Sequence, residues 1–173
     1  TLKKAVLERF EQRLGIQGPK SPGYDTMACI QASGRGGMDV AFCLGGNLYG
    51  SNPDTGFAAE ALRKIGLVVY LSTTLNTGHA CGTGRETIIL PVLPRDEEPQ
   101  PTTQESMFSY VRLSDGGSAR FDGPRSEVSI LAKIGRQLWG DGGPVNWSGL
   151  ESHAAIRRLI GELVPEYEPM RDI

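Results

Sequence analysis

Three short apolar runs decide most of what this chain can fold into. They are Asp39-Val-Ala-Phe-Cys-Leu44, Leu67-Val-Val-Tyr-Leu71 and Glu86-Thr-Ile-Ile-Leu90. Each stops abruptly: the first at Gly45-Gly46-Asn47, the second at Ser72-Thr73, the third at Pro91. Continuous apolar runs, unlike alternating ones, suit strands of a parallel sheet covered on both faces. Between the first two lies Thr55 to Ile65, with Phe57, Ala61, Leu62 and Ile65 on one helical side and Gly66 to end it. Strand, helix, strand, loop, strand is the order of a crossover-connected parallel sheet. The expected fold class is therefore α/β: a Rossmann-like three-layer domain with a mainly parallel sheet, plus a C-terminal helical extension.

The flanks read as helices and loops. Leu2, Val6, Leu7, Phe10 and Leu14 fall at helical spacing before Gly15, and Asp25 is placed to cap a second helix through Ile30. Residues 95–103 are acidic and proline-rich, the composition of a solvated surface loop. Met107 to Leu113 alternates loosely, and Asp115-Gly116-Gly117 offers a hairpin turn before Ala119 to Phe121. Glu127 to Trp139 is amphipathic, and a last helix carries Leu150, Ile156, Leu159, Ile160 and Leu163. The expected organisation is N-terminal helices over 1–35, the Rossmann-like domain over 36–140, and a C-terminal helix and tail over 141–173.

Composition removes several function classes. Of 173 residues, 39% are hydrophobic and 22% charged, with a net charge of −2, so nothing draws the chain to nucleic acid or an anionic membrane. No apolar run is long enough to cross a bilayer. No charged-then-apolar leader opens the sequence, and Thr1 in place of Met reads as a cut or processed start. Cys29, Cys43 and Cys81 form no CxxC pair, and His79 and His153 are the only histidines, too few convergent ligands for a structural metal. Small buried thiols in a reducing, cytoplasmic setting are the expectation. Surfaces around Tyr49, Tyr110 and Trp147 are expected to be exposed, making the piece prone to self-association.

The chemistry-bearing stretches follow the strands. Gly45 and Gly46 let backbone approach a flat ligand or a phosphate, and Asn47 can donate and accept. The plainer alternative is a strand-to-helix connection with Asp54 or Thr55 as cap. The spacing matches neither GxGxxG nor a P-loop. Ser72-Thr73-Thr74-Leu75-Asn76-Thr77-Gly78-His79 is dense in hydroxyls and amides, suited to the polar edge of a purine or pterin, or to caps and Asx turns. Arg85 is a phosphate holder or a surface ion pair with Glu86 or a loop carboxylate. Glu105-Ser106-Met107 reads as strand entry. No nucleophile triad is visible, since there is no GxSxG elbow and neither histidine has a catalytic frame.

Taken in order, Val40 to Asn47, Pro53-Asp54-Thr55, Leu67 to Thr73, Leu75-Asn76, His79, Gly84 to Pro91, Glu105-Ser106-Met107 and Ser126-Glu127 resemble the molybdopterin oxidoreductase superfamily. The resemblance is to the middle of a formate-dehydrogenase-like alpha subunit, from about Gly23 to Leu138 and more loosely to Leu163. It implies a Rossmann-like unit that helps hold a bis(molybdopterin guanine dinucleotide) molybdenum cofactor. By similarity the cofactor-binding residues are Gly45, Gly46, Asn47, Ser72, Thr73, Asn76 and His79. The family's cysteine-rich iron–sulfur segment and its Cys or selenocysteine metal ligand are matched by none of Cys29, Cys43 and Cys81, so no catalytic or metal residue is assigned. The implied partners are the remaining domains of a parent enzyme, and the piece alone is expected to be inactive. A free-nucleotide-binding domain and a purely structural domain stand as rival readings.

Overall fold

The computed structural model describes residues 2–106 and 110–173. The chain forms two compact units, one of residues 22–92 and one of residues up to 21 together with 93–173. The 36–140 span read from the sequence draws on both.

The 22–92 unit is the parallel sheet and its helices. It contains α2 (Thr26–Gly34), β1 (Val40–Leu44), α3 (Thr55–Leu62), β2 (Leu67–Ser72), α4 (Thr77–Cys81) and β3 (Glu86–Pro91), numbered after the chain's first helix, α1 (Leu2–Leu14). Strand order is β1-β2-β3, parallel throughout, so this is a Rossmann-like α/β fold. Asp25 caps α2 by accepting from Ala28 N at 2.7 Å, and Asp54 caps α3 by accepting from Phe57 N at 2.8 Å. Apolar residues of both helices, Ile30 with Ala61 and Leu62, meet Val68 and Tyr70 of β2 in the core. Ala41 and Cys43 pack against that cluster, whereas Val40, Phe42 and Leu44 of the same strand are exposed. That alternation is the period-two geometry of a strand with one face packed.

The other unit carries the helical extension. It holds α1, an antiparallel pair β4 (Thr102–Ser106) and β5 (Tyr110–Ser114), α5 (Glu127–Trp139) and α6 (His153–Leu163). Ion pairs join α1 to the C-terminal region: Arg13 to Glu162 at 2.8 Å and Arg9 to Glu168 at 3.2 Å. Inside, the buried guanidinium of Arg157 donates to Pro101 O at 2.8 Å and Ile173 O at 3.1 Å.

Three expectations fail, mainly in this unit. The hairpin lies one strand earlier than the glycine pair suggested: Thr102–Ser106 pairs with Tyr110–Ser114, and Ala119 to Phe121 is not a strand. Gly116 and Gly117 follow β5, where Gly117 N donates to Glu98 O at 2.9 Å instead of turning a hairpin. Met107, expected at the strand entry, lies outside the described residues. The acidic loop is not fully solvated either, because Glu97 and Glu98 are buried. Glu97 accepts from Arg120 N at 2.9 Å and faces its guanidinium, while Glu98 stands 3.5 Å from His153 Nε2. Finally, of the aromatics expected to be exposed, Tyr110 is, but Tyr49 packs on the core of the 22–92 unit and Trp147 is half-buried beside exposed Trp139. No described helix is long and apolar enough to cross a membrane.

Candidate functional site

Parallel strands deliver their following loops to one edge, and ligand clefts of α/β sheets open there. Here the loops after β1 and β2 are neighbours and bonded to each other. Gly45 N donates to Leu71 O at 2.8 Å, continuing the sheet one residue past β1. Gly45 and Gly46 then take φ of +66° and +68°, a left-handed pair that side-chain-bearing residues resist. A Cβ at either glycine would meet nothing within 4 Å, so conformation and not crowding selects glycine, and the backbone here borders open space.

Asn47 stabilises the turn that follows and reaches across. Its Oδ1 accepts from Gly50 N at 2.8 Å, and its Nδ2 donates to Thr77 Oγ1 at 2.9 Å. Asn76 answers from the other loop: Nδ2 donates to Gly46 O at 3.0 Å, and Oδ1 accepts from Gly78 N at 2.8 Å. Asn76 is also the N-cap of α4 in a capping box, its own N–H donating to His79 Nδ1 at 2.9 Å. Gly78 has to be small, since a Cβ there would lie 2.5 Å from Asn47 Oδ1 and 2.9 Å from Asn76 Oδ1.

His79 is buried and stacks edge-on against Tyr70, ring centroids 4.8 Å apart. Because Nδ1 accepts a backbone N–H, the ring proton belongs on Nε2, and Nε2 has no hydrogen-bond partner among the described residues. Beneath it, burial first and the nearby Cys43 charge second push the Tyr70 phenol up to about 12, and its hydroxyl donates to Gly82 O. Burial also raises the Cys43 thiol.

The structure thus brings Gly45, Gly46, Asn47, Ser72, Asn76 and His79 into one loop pair, and leaves Thr73 exposed on its rim. Ser72 Oγ is engaged locally, donating to Thr74 O at 2.8 Å. Thr77 and Gly78, part of the polar stretch read from the sequence but not assigned to the cofactor, are as deeply involved as the asparagines. Their signal was present as the short step Asn76-Thr77-Gly78-His79, a capping-box pattern with His in the usual place of Glu or Gln. Arg85 lies elsewhere: it precedes β3, at the amino edge of the sheet, and its pairing with Glu86 is not among the described ion pairs. Among the described residues no three His, Cys, Asp or Glu side chains gather as metal ligands.

Comparison with known proteins places this arrangement in a larger context. No family model matches the chain. It is 35% identical, over 92% of its length, to an uncharacterized oxidoreductase of Mycobacterium bovis and to one of Mycobacterium tuberculosis. It is 30% identical, over 55% of its length, to a subunit of an NADH-quinone oxidoreductase of Rhizobium meliloti. The chain spans about a fifth (21%) of the mycobacterial relatives and 11% of the Rhizobium relative. What the chain resembles is therefore a segment of larger proteins named as oxidoreductases.

Proposed function

We propose that this chain is a cofactor-holding α/β module of a larger molybdopterin-dependent oxidoreductase of the formate-dehydrogenase-like kind, inactive by itself. The observation that carries the reading is the hydrogen-bonded pair of loops at the carboxyl edge of the parallel sheet. Two features suit a dinucleotide there: bare glycine backbone bordering open space, and a buried histidine N–H without an acceptor among the described residues. Gly45, Gly46 and Asn47 would hold one side of the bis(molybdopterin guanine dinucleotide), and Ser72, Thr73, Asn76 and His79 the other. The molybdenum centre supplies the redox chemistry when bound, while the protein contributes binding and orientation. What this chain itself does is fix its loops before the ligand arrives, so little ordering cost remains for binding. The similarity to proteins named as oxidoreductases supports the reading at its coarser level.

A structural module is the second reading, favoured by one fact: the amide groups of Asn47 and Asn76 are already spent on the loops themselves. Molybdenum and pterin analysis of the full-length polypeptide separates the two. Stoichiometric pterin that falls in a Gly46→Val variant supports the cofactor module. A purified protein free of both pterin and molybdenum would leave the structural reading standing.

A further inference from the structure

Val40, Phe42 and Leu44 share two exposures that proteins seldom combine. In a parallel pair, alternate residues of a strand turn both N–H and C=O toward the same neighbour, and the residues between turn theirs away. Leu67 N donates to Asp39 O at 3.0 Å, and Gly45 N donates to Leu71 O at 2.8 Å. The residues of β1 in phase with Asp39 and Gly45 are Ala41 and Cys43, so those two face β2. Val40, Phe42 and Leu44 turn their backbone groups toward the free edge, because β1 is the end strand of the sheet among the described residues. The same three residues are 50%, 45% and 50% exposed.

Edge strands are ordinarily blunted by a charge, a proline, a bulge or a covering element. The opposite edge strand, β3, begins at Glu86 and ends at Pro91. Strand β1, Val-Ala-Phe-Cys-Leu, has none of these devices, and its register with β2 runs without interruption from Val40 to Leu44. A bare apolar edge of this kind is a template for another strand.

We infer that β1 is an interior strand in the full-length protein, and that a further strand of the same polypeptide pairs along Val40, Phe42 and Leu44. The length of the relatives selects that occupant. They match 92% of this chain with only 21% of their own sequence, so most of such a polypeptide lies outside the matched segment. The inference rests on that length relationship and is independent of which cofactor, if any, the loops hold.

Residue-resolved hydrogen exchange on the 173-residue chain and on the full-length polypeptide tests it. The amides of Val40, Phe42 and Leu44 should exchange freely in the chain and at least ~100-fold more slowly in the full-length protein, with Ala41 and Cys43 protected in both. Equal exchange of the three amides in the two samples overturns the inference. So does protection in the chain alone that grows with concentration, because a second copy would then own the edge. Should the short chain fail to fold, two variants of the full-length protein decide. Phe42→Pro removes an N–H that only a strand on the free edge could use, whereas Phe42→Ala removes the side chain alone. Phe42→Pro melting several degrees below Phe42→Ala supports the inference, and coincident melting overturns it. Pterin content is followed in parallel, so loss of cofactor with the edge still protected counts against the cofactor reading alone.

Discussion

Asn47 and Thr77 stand thirty residues apart in sequence and meet through one hydrogen bond, Nδ2 to Oγ1 at 2.9 Å, which ties the loop after β1 to the loop after β2. The other half of the same amide accepts from Gly50 N. Asn47→Ala loses both roles and is expected to destabilise the chain by about 1–2 kcal/mol. Asn47→Asp keeps the acceptor for Gly50 and can accept from the Thr77 hydroxyl, so it should cost less than Asn47→Ala. Thr77→Val removes the bridge alone and should cost about half as much as Asn47→Ala, and the double variant Asn47→Ala with Thr77→Val should cost less than the sum. Denaturant unfolding of these variants and of the unsubstituted chain checks this, and strict additivity would mean that the bridge contributes nothing.

His79 is expected to carry its ring proton on Nε2, since Asn76 N–H already occupies Nδ1. Nitrogen-15 shifts of the imidazole report the tautomer directly. The Nδ1–H form would mean that the capping box is absent in solution. His79→Gln preserves an acceptor at the N3 position and should retain α4, whereas His79→Leu should release the Asn76 amide to fast hydrogen exchange.

How far the sequence was legible depended on the range of the interactions. The three strands of the parallel sheet fall where their apolar runs place them, because the glycines, polar residues and proline that stop each run act locally; the expected cover on both faces holds only for β2, while β1 and β3 leave apolar side chains exposed. The loops that leave β1 and β2 followed from topology, since parallel strands must send them to one edge. What each polar side chain does there was not readable. Asn47 and Asn76 have the same chemistry whether they bind a ligand or one another's loops, and only the fold reveals that Thr77 and Gly46 are their partners. The hairpin was misplaced for a related reason. Asp115-Gly116-Gly117 is a strong local turn signal, yet the pairing of Thr102–Ser106 with Tyr110–Ser114 is fixed by strands further back. The burial of Glu97 and Glu98 depends on Arg120 and His153, neither close in sequence.

Gly135 governs how Trp147 sits against α5. A Cβ at this position would collide with Cε3 and Cδ2 of the Trp147 indole. Trp147 in turn stacks on Trp139, centroids 5.4 Å apart and planes at 24°. Gly135→Ala improves helix propensity by about 1 kcal/mol, but overpacking against a ring costs about 1–3 kcal/mol. The collision is with the body of the ring and not a flexible tip, so the loss should prevail by about 1 kcal/mol. A red-shifted tryptophan emission together with a lower melting temperature is the expected result. A more stable variant with unchanged emission would show that Trp147 has room to move.

Tyr70 makes the stability of the sheet unit depend on alkaline pH. Its phenol is held up to about 12 against an ordinary 10, through burial first and the Cys43 charge second. The folded state therefore keeps the proton that the unfolded chain gives up, and between those values it binds more protons than the unfolded state does. Stability contributed by the neutral phenol is intact below pH 10 and is lost as the pH climbs toward 12. Tyr70→Phe removes the titrating group along with its hydrogen bond to Gly82 O. The variant should be weaker by about 1–3 kcal/mol near neutrality, since it leaves a buried carbonyl without its donor. The gap between the two proteins should then narrow above about pH 10. Urea midpoints for both, taken from about pH 8 to about pH 11.5 in small steps, give the comparison. Parallel curves across that range would place the Tyr70 ionisation at its ordinary value and remove the buried phenol from the account of this core.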